Sequence, residues 1–164
     1  PLNIALAALR VAQEVGTKSV LNPAPASPLP DDAWDLFDVL TPNQTEGLIL
    51  VGLEPDAALE PDEVLNALRE KTEASIVMTL GGNGSLVDDA GTRVHVPAIP
   101  PKAIVDTTGA GDCFTAALSV GLCEGLSLQE AVAMASVAGS HSVTILGVIN
   151  SLPTRAELDS IRGS

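Results

Sequence analysis

Val105-Asp106-Thr107-Thr108-Gly109-Ala110-Gly111-Asp112-Cys113-Phe114 is the stretch on which the fold turns. Apolar residues up to Val105 predict the end of a strand, Gly109-Ala110-Gly111 a tight turn, and the Ala-rich run from Ala110 a helix. Glycines let the backbone close around a ligand and aim successive N–H groups outward. Those amides add to the unpaired ones at a helix start, which makes the turn suited to an anion such as a phosphoryl group. Asp112 falls in the first helical turn, where the helix dipole favours its ionised form. Two readings of these residues stand: a base poised beside an anion hole, or an ordinary tight turn followed by a first-turn acid.

Outward from this stretch, residues 110–123 and 127–145 form two Ala-rich helices broken at Gly125. Ser127 and Glu130 have the spacing of a capping box. A last helix covers 155–162, after Pro153-Thr154. Upstream, Ser75-Ile76-Val77-Met78-Thr79-Leu80 is the clearest buried strand, and it runs into Gly81-Gly82-Asn83-Gly84. Ser85–Asp88 and Thr92–Val96 read as a hairpin across Asp89-Ala90-Gly91. Earlier still, Lys18–Leu21 and Asp38–Thr41 are short strands, the first followed by Asn22-Pro23-Ala24-Pro25. Helices are expected over 2–15 (with Ile4, Leu6, Ala7, Leu9, Val11 and Ala12 on its apolar side), from an Asp31-Asp32 cap through Leu36, and over 44–52 and 61–71. Helices alternating with strands imply an open α/β sheet, mostly parallel, of Rossmann-like three-layer α/β/α form. Ligands of such sheets bind beyond the carboxyl ends of the strands. The loops after Leu21, Thr41, Leu80 and Val105 are therefore the candidate ligand loops.

Composition agrees. The 164 residues suffice for one compact domain, and they are 46% hydrophobic with almost no aromatics, Trp34, Phe37 and Phe114 being all of them. The core must be aliphatic, as suits buried parallel strands under Ala-rich helices. A formal net charge of −13 opposes binding to nucleic acid and to anionic membranes. No segment reads as a signal peptide or a membrane span, so a cytoplasmic protein is expected. The chain opens on Pro1-Leu2-Asn3 and enters a helical pattern at once, which reads as the continuation of a longer polypeptide. Cys113 and Cys123 lie about 15 Å apart along one helix, too far for a disulfide. They read as small buried residues, with a reactive thiol at Cys113 as the alternative. His95 on a hairpin strand is expected to be exposed, and His141 has no second ligand nearby.

The string Asp106-Thr107-Thr108-Gly109-Ala110-Gly111-Asp112 resembles the signature of the ribokinase-like (PfkB) sugar kinase family. Asn22-Pro23-Ala24-Pro25-Ala26, Thr41-Pro42-Asn43-Gln44-Thr45-Glu46, Thr79-Leu80-Gly81-Gly82-Asn83-Gly84 and Pro153-Thr154-Arg155 resemble further motifs of that family, in order and spacing along nearly all of the chain. The resemblance implies the ribokinase-like fold and transfer of the γ-phosphoryl group of ATP to a sugar hydroxyl. The Asn-Pro-Ala-Pro segment and Asp106 favour D-ribose, giving D-ribose 5-phosphate. Fructose, other sugars and nucleosides are the alternatives within the family, and a nucleotide-binding fragment without turnover is the alternative outside it.

The resemblance also assigns roles. Asp112 corresponds to the base that deprotonates the sugar hydroxyl and so touches the substrate, and Gly109, Ala110 and Gly111 to the anion hole. Asn43, Thr79, Gly81, Gly82, Asn83, Gly84, Gly111, Asp112 and Ser136 correspond to nucleotide contacts. Glu46 corresponds to a residue that organises Mg²⁺ through water. Read alone, Asn43 and Glu46 are an N-cap and a first-turn acid. Asp106, Thr108, Ser142, Ile145, Gly147 and Ser151 match the positions that hold a monovalent cation, K⁺. Leu146-Gly147-Val148-Ile149 departs there from the basic residue and Gly-Ala-Gln common in the family. Residues 1–164 then form the nucleotide-binding and catalytic portion of a ribokinase-like domain, without the sugar-binding half and lid, and the full-length protein is expected to be a homodimer.

Overall fold

The computed structural model describes residues 1–162, which fall into two compact units. The first holds Pro1–Leu80 and Leu86–Val94, and the second holds Gly81–Ser85 and the chain from His95.

The first unit begins with α1 (Leu2–Val15), β1 (Val20–Leu21), a single 3₁₀ turn (Asp31–Ala33) and β2 (Val39–Leu40). It continues with α2 (Gln44–Leu50), α3 (Pro61–Arg69), β3 (Ser75–Thr79) and most of the hairpin β4 (Ser85–Asp89) and β5 (Thr92–Val96). The five strands are neighbours in the order β1-β2-β3-β4-β5, and β1, β2 and β3 are parallel, Val20 pairing with Val39 and Val39 with Ser75. The two-residue link between β4 and β5 makes that pair antiparallel. This is the mixed α/β sheet that the strand and helix patterns predict.

Its core is aliphatic around two rings. Leu40, Leu65, Leu68, Ile76 and Met78 are fully enclosed, and Trp34 and Phe37 meet edge to face with centroids 6.3 Å apart. Each such side chain contributes roughly 1.5–3 kcal/mol on burial. α3 owes its start to Pro61 in the first turn and to Glu63, whose carboxylate accepts the Glu60 amide at 2.9 Å. In α1 only Leu6 and Leu9 are buried among the apolar residues expected on its core face, and Ile4 and Val11 remain 62% and 56% exposed. The reason is angular: Leu6 and Leu9, three apart, share one face, and Ile4 and Val11, seven apart, share another.

A buried ionic knot ties the hairpin to α3. The Asp88 side chain, 3% exposed, lies 2.9 Å from Arg93 Nη2 through Oδ2 and 2.8 Å from Arg69 Nη2 through Oδ1. Arg93 reaches on to Asp62 at 2.8 Å and to Asn66 Oδ1 at 2.9 Å, and Arg69 donates to the Thr72 carbonyl. Burial alone would push the Asp88 carboxyl up, but the bonds and charges of Arg93 and Arg69 hold it below its ordinary value.

The second unit holds a 3₁₀ turn (Gly81–Asn83), α4 (Ala110–Cys123), α5 (Leu128–Ser142), α6 (Val148–Ser151) and α7 (Arg155–Arg162). α4 and α5 form a helical hairpin with small contact residues. Ala117, Ala131, Ala135 and Ala138 are buried beside Phe114, Leu118 and Met134. The expected capping box starts α5: Ser127 Oγ accepts from the Glu130 amide, and Glu130 accepts from the Ser127 amide at 2.9 Å.

Several boundaries differ from the sequence reading. The strand expected to end at Val105 does not form; that residue sits in a bend, and the amides of Val105 and Asp106 both donate to one carbonyl, that of Val143. α5 ends at Ser142 rather than 145, and the four-residue α6 follows Gly147. The segment from Asp31 is one 3₁₀ turn capped by Pro30, without a side-chain cap. Cys113 is buried as expected, whereas Cys123 is exposed, and both are free.

Candidate active site

In the first unit the loops after β1, β2 and β3 gather at the carboxyl ends of the strands. The Asn22 side chain donates to the Thr41 carbonyl at 3.0 Å, and the Thr41 amide donates to the Leu21 carbonyl at 2.8 Å. Asn43 bridges to Thr79, whose amide donates to the Pro42 carbonyl at 2.9 Å. Asn43 then caps α2: its Oδ1 accepts the Glu46 amide at 2.8 Å, and Glu46 Oε2 accepts the Asn43 amide at 2.7 Å. Asn43, Glu46 and Thr79 are thus brought together where parallel α/β sheets bind ligands. A separate cavity of about 340 Å³ opens at the other ends of these strands, lined by Lys18, Ser19, Phe37 and Asp38, and contains none of the expected site residues.

In the second unit, Gly81–Asn83 is a 3₁₀ turn with both glycines exposed. Gly84 closes it at φ +90°, and a Cβ there would lie 2.2 Å from the Val96 carbonyl oxygen, so only glycine fits. His95 is exposed, with Nε2 2.7 Å from the Asn83 carbonyl. Ser136 is half-buried, and its hydroxyl donates to the Val132 carbonyl in its own helix at 2.9 Å.

The turn before α4 lies earlier than expected: it is closed by the Ala110 amide on the Thr107 carbonyl at 3.2 Å, and Ala110 and Gly111 already belong to the helix. Gly109 is its N-cap at φ +77°, the left-handed region. The first α-helical bond runs from the Cys113 amide to the Gly109 carbonyl at 2.9 Å, so the amides of Gly111 and Asp112 precede it and stand at the helix end. Gly111 is exposed with open space where a Cβ would project, and Asp112 is exposed beside it. Cys113 faces inward, its thiol 3.5 Å from the Ala138 carbonyl, and burial pushes that thiol up against a bond from Ser142. Cys113 is therefore not an activated nucleophile.

Asp106 ties this turn to the segment before α6. Its Oδ1 accepts the Thr108 amide at 2.9 Å and its Oδ2 the Gly147 amide at 3.0 Å. Bonds from Thr108, through side chain and backbone, and then from Gly147 hold the carboxyl below its ordinary value, so it is ionised at neutral pH. Of the other residues matched to a monovalent cation, Ser142 and Ser151 are buried, and their hydroxyls donate to the carbonyls of Gly139 and Val148. Neither hydroxyl is needed for such an ion, because carbonyl oxygens and one ionised carboxylate are suitable donors. Reading the sequence alone missed Val148, whose side chain lies against Gly109; only contact across 39 positions brings it there. Among the described residues no three His, Cys, Asp or Glu side chains cluster as a metal cage, and no helix is long and apolar enough to cross a membrane. A single carboxylate at Glu46 suits Mg²⁺, which keeps most of its waters and binds few protein groups.

The family model described as pfkB family carbohydrate kinase matches residues 2–155. The ribokinase of Haemophilus influenzae is 36% identical over 157 residues, covering 96% of this chain and 51% of the relative. The bifunctional ribokinase/ribose-5-phosphate isomerase A of Fructilactobacillus sanfranciscensis is also 36% identical, over 94% of this chain and 29% of the relative. Among solved structures, Arabidopsis thaliana ribokinase complexed with ribose and ATP superimposes with a TM-score of 0.89 at 29% identity, over 98% of this chain and 52% of that one. Thermotoga maritima ribokinase gives 0.85 at 30% identity. The chain spans about half the length of most of these relatives and has their ribokinase-like fold. On the family match over residues 2–155, the chain belongs to the pfkB family of carbohydrate kinases.

Proposed function

We propose that this chain supplies the phosphoryl-transfer part of an ATP-dependent sugar kinase whose acceptor is D-ribose and whose product is D-ribose 5-phosphate. The observation that carries the proposal is the turn at Gly109–Asp112, where an open glycine and free helix-end amides stand next to an exposed carboxylate. Phosphoryl transfer needs positioning and charge stabilisation more than covalent chemistry, and such a turn supplies both.

In this reading Asp112 accepts the proton of the attacking sugar hydroxyl. The hydroxyl oxygen bonds to the γ-phosphorus as the bond to the β,γ-bridging oxygen breaks, and ADP leaves. Gly109 and Gly111 present amides to the charge that builds on the phosphoryl oxygens, whereas the Ala110 amide already donates to the Thr107 carbonyl at 3.2 Å and offers less. In the first unit, Asn43 and Thr79 contact the nucleotide, and Glu46 orients water on Mg²⁺. Mg²⁺, when bound, neutralises charge on the β- and γ-phosphates. The Gly81–Asn83 turn offers exposed backbone to the nucleotide, whereas Gly84, expected to contact it too, is buried against the Val96 carbonyl and serves to close the turn. Ser136 offers it less than the other positions, because its hydroxyl already has a partner. K⁺ at the Asp106 loop would add positive charge behind the anion hole. The rest of the sugar pocket lies in sequence beyond this chain, within a cytoplasmic homodimer that binds neither nucleic acid nor membrane.

The test is sugar phosphorylation by the full-length gene product with ribose, fructose and adenosine as acceptors. Ribose is expected to give the highest kcat/KM. Preference for another acceptor would move the protein elsewhere in the family, and ATP binding without transfer to any of them would favour a nucleotide-binding module.

A further inference from the structure

The backbone ladder between β1 and β2 ends one donor short. The Thr41 amide donates to the Leu21 carbonyl at 2.8 Å. In a parallel pair the bond that follows comes from the residue two places further along the neighbouring strand, whose amide donates back to the carbonyl of Thr41. That residue is Pro23, which has no N–H to give. Thr41 is only 2% exposed, so its carbonyl needs a partner from within the protein. Asn22 supplies it: the side-chain Nδ2 donates to the Thr41 carbonyl at 3.0 Å. Pro23, itself buried, also confines Asn22 to extended backbone and so limits where that side chain can turn. From the other side, the Pro42 carbonyl accepts the Thr79 amide at 2.9 Å, and Asn43 bridges to Thr79. Thr41-Pro42-Asn43 is therefore held between β1 and β3, with Asn22 as a clamp on the β1 side.

We infer that Asn22 is a positioning residue for the loop that serves nucleotide and Mg²⁺: its side-chain amide takes the place of the ladder bond that Pro23 withholds, and so fixes the peptide that leads into Asn43 and Glu46. This rests on the function proposed above. Asn43 and Glu46 cap one another at the start of α2, so a shift at Thr41 displaces both side chains together. Asn22 acts through them rather than on a reacting atom. The Asn22-Pro23 pair thereby has a local reason: the proline removes a donor, and the asparagine restores it from the side chain one residue earlier.

The experiment uses the full-length protein and four variants: Asn22→Ala, Asn22→Leu, Pro23→Ala and the double variant Asn22→Ala/Pro23→Ala. Asn22→Ala and Asn22→Leu both lose the donor, and the leucine keeps most of the volume. Both are expected to raise the Mg²⁺ concentration for half-maximal rate and the KM for ATP about threefold to tenfold, the worth of one hydrogen bond. Their kcat at saturation is expected to stay within about twofold of the unmutated protein. Pro23→Ala gives residue 23 an amide, so the double variant is expected to recover part of what Asn22→Ala loses, a non-additivity that marks one shared acceptor. Independently of turnover, the backbone amide resonances of Asn43 and Glu46 are expected to move in Asn22→Ala, whereas those of Ser127 and Glu130 stay in place. Unmoved resonances at Asn43 and Glu46 overturn the inference. So does a lower midpoint in urea with an unaltered Mg²⁺ requirement, which is a structural role alone, and so does a double variant no better than Asn22→Ala. If the unmutated protein phosphorylates no sugar, the functional reading fails, and the resonances alone decide whether Asn22 sets the loop.

Discussion

Asn43 and Glu46 cap one another, each side chain accepting the other's backbone amide at 2.8 and 2.7 Å. The same pair is expected to serve Mg²⁺ and nucleotide, and the two roles separate by substitution. Asn43→Ala removes the cap acceptor and is expected to cost about 1 kcal/mol, read as a lower midpoint in urea. Glu46→Gln keeps an oxygen for the Asn43 amide and loses only the charge. Its expected signature is a raised Mg²⁺ requirement for turnover at an unaltered midpoint. A changed midpoint with an unchanged Mg²⁺ requirement would leave Glu46 as a cap alone.

Asp112 is exposed in the first turn of α4 and takes no part in holding that turn, which rests on Asp106 and Gly109. Asp112→Asn is therefore expected to fold normally and bind ATP with near-normal affinity, while kcat falls by about two to four orders of magnitude, the usual worth of a general base. Isothermal titration with ATP beside a steady-state assay measures both. Near-normal turnover would remove Asp112 from the chemistry.

Asp88, buried between Arg69 and Arg93, makes stability depend on acid. Its carboxyl lies below its ordinary value of 3.8 in the folded chain. Its contribution is therefore complete above the unfolded value and is lost as pH falls through the lower folded one. Asp88→Ala leaves two guanidinium groups short of a partner and is expected to cost about 2–3 kcal/mol, the cost of breaking a buried pair discounted because both arginines are partly exposed. The difference in stability between the natural chain and the variant should hold steady from neutral pH to about 5 and shrink below about 4. A difference that persists at the acid end would point to packing rather than charge.

Gly84→Ala places a Cβ on the Val96 carbonyl at a backbone angle that alanine avoids. A loss of at least about 2 kcal/mol is expected, from strain and steric conflict together. Circular dichroism melts check it. Gly82→Ala, which meets open space, is the control and should melt within a degree or two of the natural chain.

Ile4, Val11 and Val15 form an exposed apolar stripe on α1, at spacings of seven and four. The chain alone is expected to self-associate through it. Sedimentation should show concentration-dependent association that Ile4→Lys/Val11→Lys abolishes; a monomer at all concentrations would count against that role for the stripe.

Much of this was legible in the amino-acid order, and the exceptions have physical causes. α4, the start of α5, β3 and the hairpin follow from local signals: Gly125 as a break, the Ser127–Glu130 box, and an apolar run closed by Gly81. Such signals act within a few residues and survive any packing. The strand before Asp106 was misread because an apolar run states only that residues favour burial. A strand needs a partner ladder, and Val105 and Asp106 find one carbonyl, at Val143. α6 was invisible because four residues carry no period.

The candidate site divides along the same line. Asp112, the glycines of its turn and the Asn43–Glu46 spacing were fixed by sequence, since each belongs to a turn or cap whose geometry is local. Tertiary structure alone decided that Asp106 spends both oxygens on Thr108 and Gly147, that Ser136 turns its hydroxyl into its own helix, and that Val148 lies on Gly109. The physical reason is range: caps and turns are settled by neighbours three or four residues away, but the contacts that aim them join segments some forty residues apart, which only the packed chain brings together.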